Sequence, residues 1–532
     1  MRLSAPEQRC SGGARLAVCV LVGLAAPLRH AAARVPERDQ LYRPQVHFTP
    51  RRHWMNDPNG LVYYHGWYHL FFQYNPYGDR WGHMSWGHAV SRDLLHWRQL
   101  PVAIAPGRHT VIFSGSAVVD WHNSSGFGAA GRPPLVAVYT ANPRHGPGLQ
   151  TENLAYSTDG GMHWRKYAHN PVLNIGLHNF RDPKVLWYAP AHDWVMVVSR
   201  AAQHRISFYT SPDLKTWTHR SDFGPAGDTR GVWECPDLFA LPVENRPGQR
   251  RWVLKMDVQQ HRPGTGGGGQ VFVGRFNGHR FTASNPHPQA LDLGEDYYAS
   301  ASWSDLPRGA APVVTLGWMD NWLYAQSAPT SPWRGAMAFP RRLSLRWHDG
   351  RYQLLQRPIG ALVRLREAPR SLGGFTAEQD RRLLAVPARG RAHEIRARIR
   401  VGRRGGFRLA FGSPDGRTVT LGYEAATGIF SVDRTGHYPF SRQFDSHNAA
   451  PLRSPTGEIE LDLIIDRSSV EAFVNHGVLT VAERMFPRTG AYTVTVRTIH
   501  SRVQQMTIWT LHSIWPRAGS PVDSRTRARG GR

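Results

Sequence analysis

Ser91-Arg92-Asp93-Leu94-Leu95-His96-Trp97 ends one short unit of the chain. Ser157-Thr158-Asp159-Gly160-Gly161-Met162-His163-Trp164 ends a second, and Ser211-Pro212-Asp213-Leu214-Lys215-Thr216-Trp217 a third. In each, Ser and Asp are suited to bond the adjacent backbone and fix a tight turn, while Trp packs on the hairpin that the turn closes. Apolar runs accompany them, among them Leu70-Phe71-Phe72-Gln73-Tyr74, Leu135-Val136-Ala137-Val138-Tyr139 and Trp194-Val195-Met196-Val197-Val198. Gly, Pro, Asn and Asp clusters separate these runs, which is the pattern of strands joined by turns. A unit recurring every roughly 50–70 residues has the size of a four-stranded propeller blade with its loops. Five such units fit between Leu41 and Arg342, so residues 41–342 are expected to form a five-bladed β-propeller.

Beyond Arg342 the pattern changes. Residues 343–372 read as a linker, in which Pro358 followed by Ala361-Leu362-Val363-Arg364-Leu365 suits a short helix. Alternation in Ile459-Glu460-Leu461-Asp462-Leu463 and Tyr492-Thr493-Val494-Thr495-Val496 marks half-buried strands. A β-sandwich over residues 373–515 accounts for them. Residues 516–532, rich in Arg, Gly, Ser and Pro, read as a disordered basic tail. At the other end, Arg2, Arg9 and Arg15 precede an apolar run from Leu16 to Leu28, followed by Ala31-Ala32-Ala33. Residues 1–33 therefore read as a signal peptide and the protein as secreted, extracellular or periplasmic. Cys10 and Cys19 leave with that segment, and Cys235 remains without a disulfide partner.

Composition narrows the function classes. The 65 Lys and Arg against 39 Asp and Glu give a net charge of +26, yet only Lys166, Lys184, Lys215 and Lys255 among the basic residues are not Arg. No zinc-finger spacing, recognition helix or RNA-binding aromatic signature accompanies the charge, so no nucleic-acid partner is expected. A solvated basic surface with loose attraction to anionic polymers is the reading that remains. No run of ~20 apolar residues occurs in the body of the chain, so no membrane insertion is expected. The 27 His show no metal-ligand spacing, and neither metal nor cofactor is expected. Oligomeric state is unknown at this level.

Acids in Pro-containing turns carry the chemistry. Asp57 lies in Trp54-Met55-Asn56-Asp57-Pro58-Asn59-Gly60, Asp182 in Arg181-Asp182-Pro183 and Glu234 in Trp233-Glu234-Cys235-Pro236-Asp237. Inner strands of successive blades line a propeller's axis, so acids distant in sequence can meet there. Glycoside cleavage needs one ionised carboxylate and one protonated carboxyl flanking the bond. Trp54, Trp81, Trp233 and Trp318 are candidates for the flat apolar faces that sugar C–H groups require. Taken alone, each acid has a plainer reading as a turn residue or a buried structural acid, and Asp93, Asp159 and Asp213 are read as structural.

At these residues the sequence resembles glycoside hydrolase family 32, the invertase, levanase and inulinase family. The likeness extends to Tyr42-Arg43-Pro44-Gln45, Trp81 through His88, Phe113-Ser114-Gly115-Ser116, Pro329 through Met337 and, in the second domain, Ser469 through Asn475. The resemblance implies a five-bladed propeller followed by a β-sandwich. It implies Asp57 as nucleophile, Glu234 as general acid/base and Asp182 as the acid that holds fructosyl hydroxyls. Asn56, Gln73, Trp81, Ser114, Arg181 and Trp318 are implied around the fructose subsite. The implied activity is retaining hydrolysis of terminal β-fructofuranosyl units of fructans (levan, inulin) and sucrose. Within the family, the Trp333 segment and Trp233 resemble exo-acting levanases and inulinases more than plant invertases. A sucrose-specific invertase or a fructosyltransferase is the alternative. Asp320 departs from the small polar residue of many relatives, and extra charge at the funnel rim is expected there. Three rivals stand against the implied activity: a sialidase, for which Ser157–Trp164 fits but the three carboxylate motifs do not; a fructan-binding lectin, which would most simply have lost one of the acids; and an anionic-polymer-binding module, which rests only on net charge.

Overall fold

The computed structural model describes residues 38–516 apart from 130, 147, 260–263, 265, 267 and 308–312. The expected signal peptide, and the expected tail beyond Pro516, lie outside the described residues. Five antiparallel sheets follow in chain order, over residues 53–104, 110–166, 180–223, 233–290 and 298–358. The chain is a five-bladed β-propeller followed by a β-sandwich.

Alternation within strands builds the ring. On Thr110–Val119, Val118 faces the third blade among Phe180, Val185 and Met196, whereas Ala117 and Val119 face the first blade among Val62, Phe71 and Trp86. The same arrangement repeats between blades three and four, four and five, and five and one. Each inner strand is therefore apolar on both faces, because successive side chains enter opposite neighbours. Trp333–Arg334 pairs in parallel with His53–Trp54 and ties the end of the propeller to its beginning.

The three repeats behave alike. The Asp93 carboxylate accepts from Ser91 Oγ and from the backbone of Leu95 and His96, and Trp97 Nε1 donates to the Leu94 carbonyl. Asp159 with Trp164 and Asp213 with Trp217 repeat this arrangement.

The expected boundary at Arg342 is corrected. Arg341–His348 and Arg351–Pro358 are the two outer strands of the fifth blade. Leu343, Leu345 and Leu354 enter the core between blades four and five, which a linker would leave exposed. The connection is shorter and contains a 3-10 helix at Gly360–Leu365. In the sandwich, His393–Gly412 and Tyr492–Thr510 pair along almost their whole length. His393–Gly412 pairs first with Glu458–Asp466 and then, past a bulge, with Thr418–Glu424, so one strand serves both layers.

Propeller and sandwich meet across buried ions. His47 lies 2.9 Å from Asp466 and 3.0 Å from Glu471. Arg341 bridges Asp292 and Glu471, and Arg434 bridges Asp296 and Glu483. Asp320 belongs here too: it is fully buried, 3.1 Å from Arg484 of the sandwich. Extra charge at the funnel rim is thus overturned at this position, because the carboxylate is neutralised at the domain junction.

Candidate active site

Every inner strand carries a β-bulge at the same level of the axis. Register shifts fall between Met55 and Pro58, Ile112 and Gly115, Arg181 and Lys184, Glu234 and Asp237, and Tyr298 and Ala301. A bulge bends its strand and re-aims a side chain. Here the bulged residues include Asn56, Asp57, Ser114, Asp182 and Cys235. Asp182, Cys235 and Ala299 adopt positive φ of 69°, 48° and 51°, an uncommon conformation away from glycine that marks a locally strained site. The turn-forming, Pro-containing composition around each acid is what permits these irregularities.

The three acids from blades one, three and four meet. Asp57 Oδ1 accepts from Asn56 Nδ2 at 3.0 Å, and Oδ2 from Ser114 Oγ at 2.6 Å and from the Cys235 thiol at 3.6 Å. Asp182 Oδ2 accepts from the Cys235 backbone N–H at 3.0 Å and lies 3.7 Å from its sulfur, whose single proton serves one aspartate or the other. Arg181 donates to Glu234 Oε1 through Nε at 3.0 Å and approaches it through Nη2 at 2.9 Å, with its Nε 4.0 Å from Asp182. Tyr298 Oη donates to Glu234 Oε2 at 2.5 Å.

Burial raises the Asp57 carboxyl above its ordinary value; the bonds from Ser114 and Asn56 oppose the rise and the Glu234 charge adds to it. Burial pushes Asp182 up to about 7, against Arg181 and with help from the charges of Glu234 and Asp57. Burial first, and then the neighbouring aspartates, hold the Cys235 thiol well above the usual range, so it is an S–H donor at neutral pH and no nucleophile.

The other expected residues divide. Gln73 is buried and donates to Asn59 rather than to an acid. Trp81 stands 42% exposed, edge-on to Phe113, and offers an open ring. Trp318 is fully buried, packed against Trp54 and Trp322. Trp233 turns into the core between blades three and four, its Nε1 on the Asp228 carbonyl, so it is no wall of the site. Trp333 lies buried with the Arg43 guanidinium 3.6 Å above its ring, so substrate preference is not read from it. Tyr298 was missed. Its signal is position: four inner strands bring a polar residue to the axis, and the fifth is bound by the same geometry. Gln150 and Asn179, which accept from Arg181 Nη1, sit in no motif.

Beside Asp182, residues of all five inner strands line a cavity of about 30 Å³. It has room for a water molecule and none for a sugar ring.

The sequence pattern of the glycosyl hydrolases family 32 N-terminal domain matches residues 47–358, and that of the family's C-terminal domain matches residues 361–510. The chain belongs to glycosyl hydrolase family 32. It is 42% identical to a levanase of Bacillus subtilis, over 90% of this chain and 71% of the levanase. It is 38% identical to an extracellular exo-inulinase of Aspergillus niger, over 89% of this chain and 93% of that protein. The crystal structure of an exo-inulinase from Aspergillus awamori superposes with a TM-score of 0.82 at 35% identity, covering 90% of this chain and all of that one. As a family 32 member the chain is a glycoside hydrolase.

Proposed function

We propose that this family 32 hydrolase releases terminal β-fructofuranosyl units from fructans and sucrose, with Asp57 as nucleophile, Glu234 as general acid/base and Asp182 holding sugar hydroxyls. The observation that carries the reading is the joining of three carboxyl groups from three blades through Cys235 and Arg181. Asp57 attacks the anomeric carbon while the acid gives the leaving oxygen its proton. Water, deprotonated by the same group, then cleaves the fructosyl-enzyme ester with net retention. Asn56 and Ser114 orient the attacking oxygens, and Arg181 and Tyr298 fix Glu234. Trp81 offers a stacking face at the edge of the site. The levanase and exo-inulinase relatives support fructans as substrates, and the N-terminal pattern together with an extracellular relative supports secretion. Among the described residues no helix is long and apolar enough to cross a membrane.

The test is free fructose released from levan, inulin and sucrose by wild type, Glu234→Gln and Asp57→Asn. Each variant is expected to lose about 10²–10⁴-fold in kcat. Release by Glu234→Gln at the wild-type rate overturns the assignment, and the relative rates on the three substrates rank fructan against sucrose.

A further inference from the structure

A second feature lies on the sandwich, in the long strand pair. Between Val401 and Gly406 the ladder with Tyr492–Thr510 is interrupted, and Gly402-Arg403-Arg404-Gly405 bulges out opposite His500, itself at a φ of 44°. The glycines are required there. A Cβ on Gly402 would stand 2.5 Å from the His500 carbonyl oxygen, and one on Gly405 would stand 2.5 Å from Ser501 Oγ. The bulge turns the strand from one layer to the other, and it also sets Arg403 at an open groove of about 1050 Å³. Arg400, Arg453, Arg502 and His500 line the same groove, with Glu378 as its acid.

The four arginines outnumber the one acid there. One step along the same face, Arg396 pairs with Glu394 and Asp462, and Arg398 with Glu458 and Glu460. Glu458 faces Arg400 across the strands yet turns to Arg398. Among the described residues, Arg400, Arg403, Arg453 and Arg502 form no ion pair with a carboxylate; Arg502 donates to the Gly374 carbonyl. Guanidinium forks match the paired oxygens of phosphate groups. A concave groove suits a linear chain better than a flat bilayer.

We propose that this groove binds a linear phosphate-bearing polymer, separately from the catalytic pocket. The test uses the full-length protein and inorganic polyphosphate, with binding measured by fluorescence anisotropy across a salt series. Four arginine contacts predict a log–log salt slope of about −3, on the single-strand scale of ~0.7 per phosphate contact. Arg403→Gln with Arg453→Gln should weaken binding about tenfold and bring the slope to about −1.5, while sucrose hydrolysis stays at the wild-type rate. Arg275→Gln with Arg351→Gln, an equal charge loss elsewhere on the surface, should leave binding intact. Three results would overturn the proposal: equal weakening by both pairs, no binding at low salt, or binding to phosphatidylglycerol vesicles in preference to polyphosphate.

Discussion

Glu234 is held at one oxygen by Arg181 and at the other by Tyr298, so its role in the proposed cycle depends on two neighbours that move no proton in it. Removing the phenolic oxygen with Tyr298→Phe keeps the ring among Trp54, Met84 and Trp318. A hydrogen bond to a charged group contributes about 1.5–3 kcal/mol, so kcat/KM should fall about 10–100-fold with little change in thermal stability. Steady-state kinetics beside a melting curve checks this. The acids also set the pH profile. Attack needs Asp57 ionised, and its carboxyl is raised by burial above 3.8, so activity should begin to fall on acidification above that value. Asp182, which holds sugar hydroxyls in the proposed cycle, is raised to about 7 by burial, so as pH rises through about 7 it gains a charge beside the other two acids and loses the proton it can donate to a hydroxyl. The rate of fructose release from sucrose should peak on the acid side of neutral and decline past pH 7; a rate still climbing at pH 8 contradicts the assignment.

At the scale of the element, the three Ser/Asp/Trp turns are structural and lie away from the acids. Asp93→Ala strips the acceptor from Ser91, Leu95 and His96 at once. Leaving such donors without a protein partner costs about 1–3 kcal/mol, partly recovered by solvent because the turn is half exposed. A drop of a few degrees in Tm with kcat unchanged is the expected outcome, measured by calorimetry and sucrose hydrolysis on one preparation. The bulges are the opposite kind of element. They interrupt the ladder where regular strands would hold better, and they bring the acids to the axis.

For the whole molecule, stability is expected to depend on pH through the junction of propeller and sandwich. Burial lowers the pKa of His47, but Asp466 and Glu471 overcome this and raise it from 6.5 to about 9. The folded state therefore keeps a proton that the unfolded chain loses first. The contribution is complete below pH 6.5 and is lost as pH rises through about 9. Burial raises Asp182, Asp257 and Asp320 to about 7, and these act in the same direction between their ordinary value and pH 7. Burial also lowers His69 and His393 to about 4, which opposes the carboxyl contribution below pH 6.5, so Tm should decline from pH 7 to pH 9. His47→Gln should flatten the upper part of that decline and, by leaving two buried carboxylates without their shared cation, cost about 3–5 kcal/mol at pH 6. Denaturant titrations of both proteins at pH 6 and 9 decide it.

What the sequence determined by itself was local or periodic. The blade repeat was legible because its turn bonds residues two to four apart, and the sandwich strands because alternation shows in any short window. The three acids were legible because each sits in a compact segment of distinctive composition. Tertiary structure decided the rest. Tyr298 and Gln150 join the site only through partners far along the chain, and Asn179, though two residues from Arg181, sits in no motif. Trp233 and Trp318 looked like walls of the pocket, but strand alternation and ring packing place them in the core. Asp320 looked like a charge at the rim, and its partner, Arg484, belongs to another domain. The physical reason is common to all of these: a turn is set by neighbours in sequence, whereas burial and ion pairing are set by whatever the closed ring and the docked sandwich bring close.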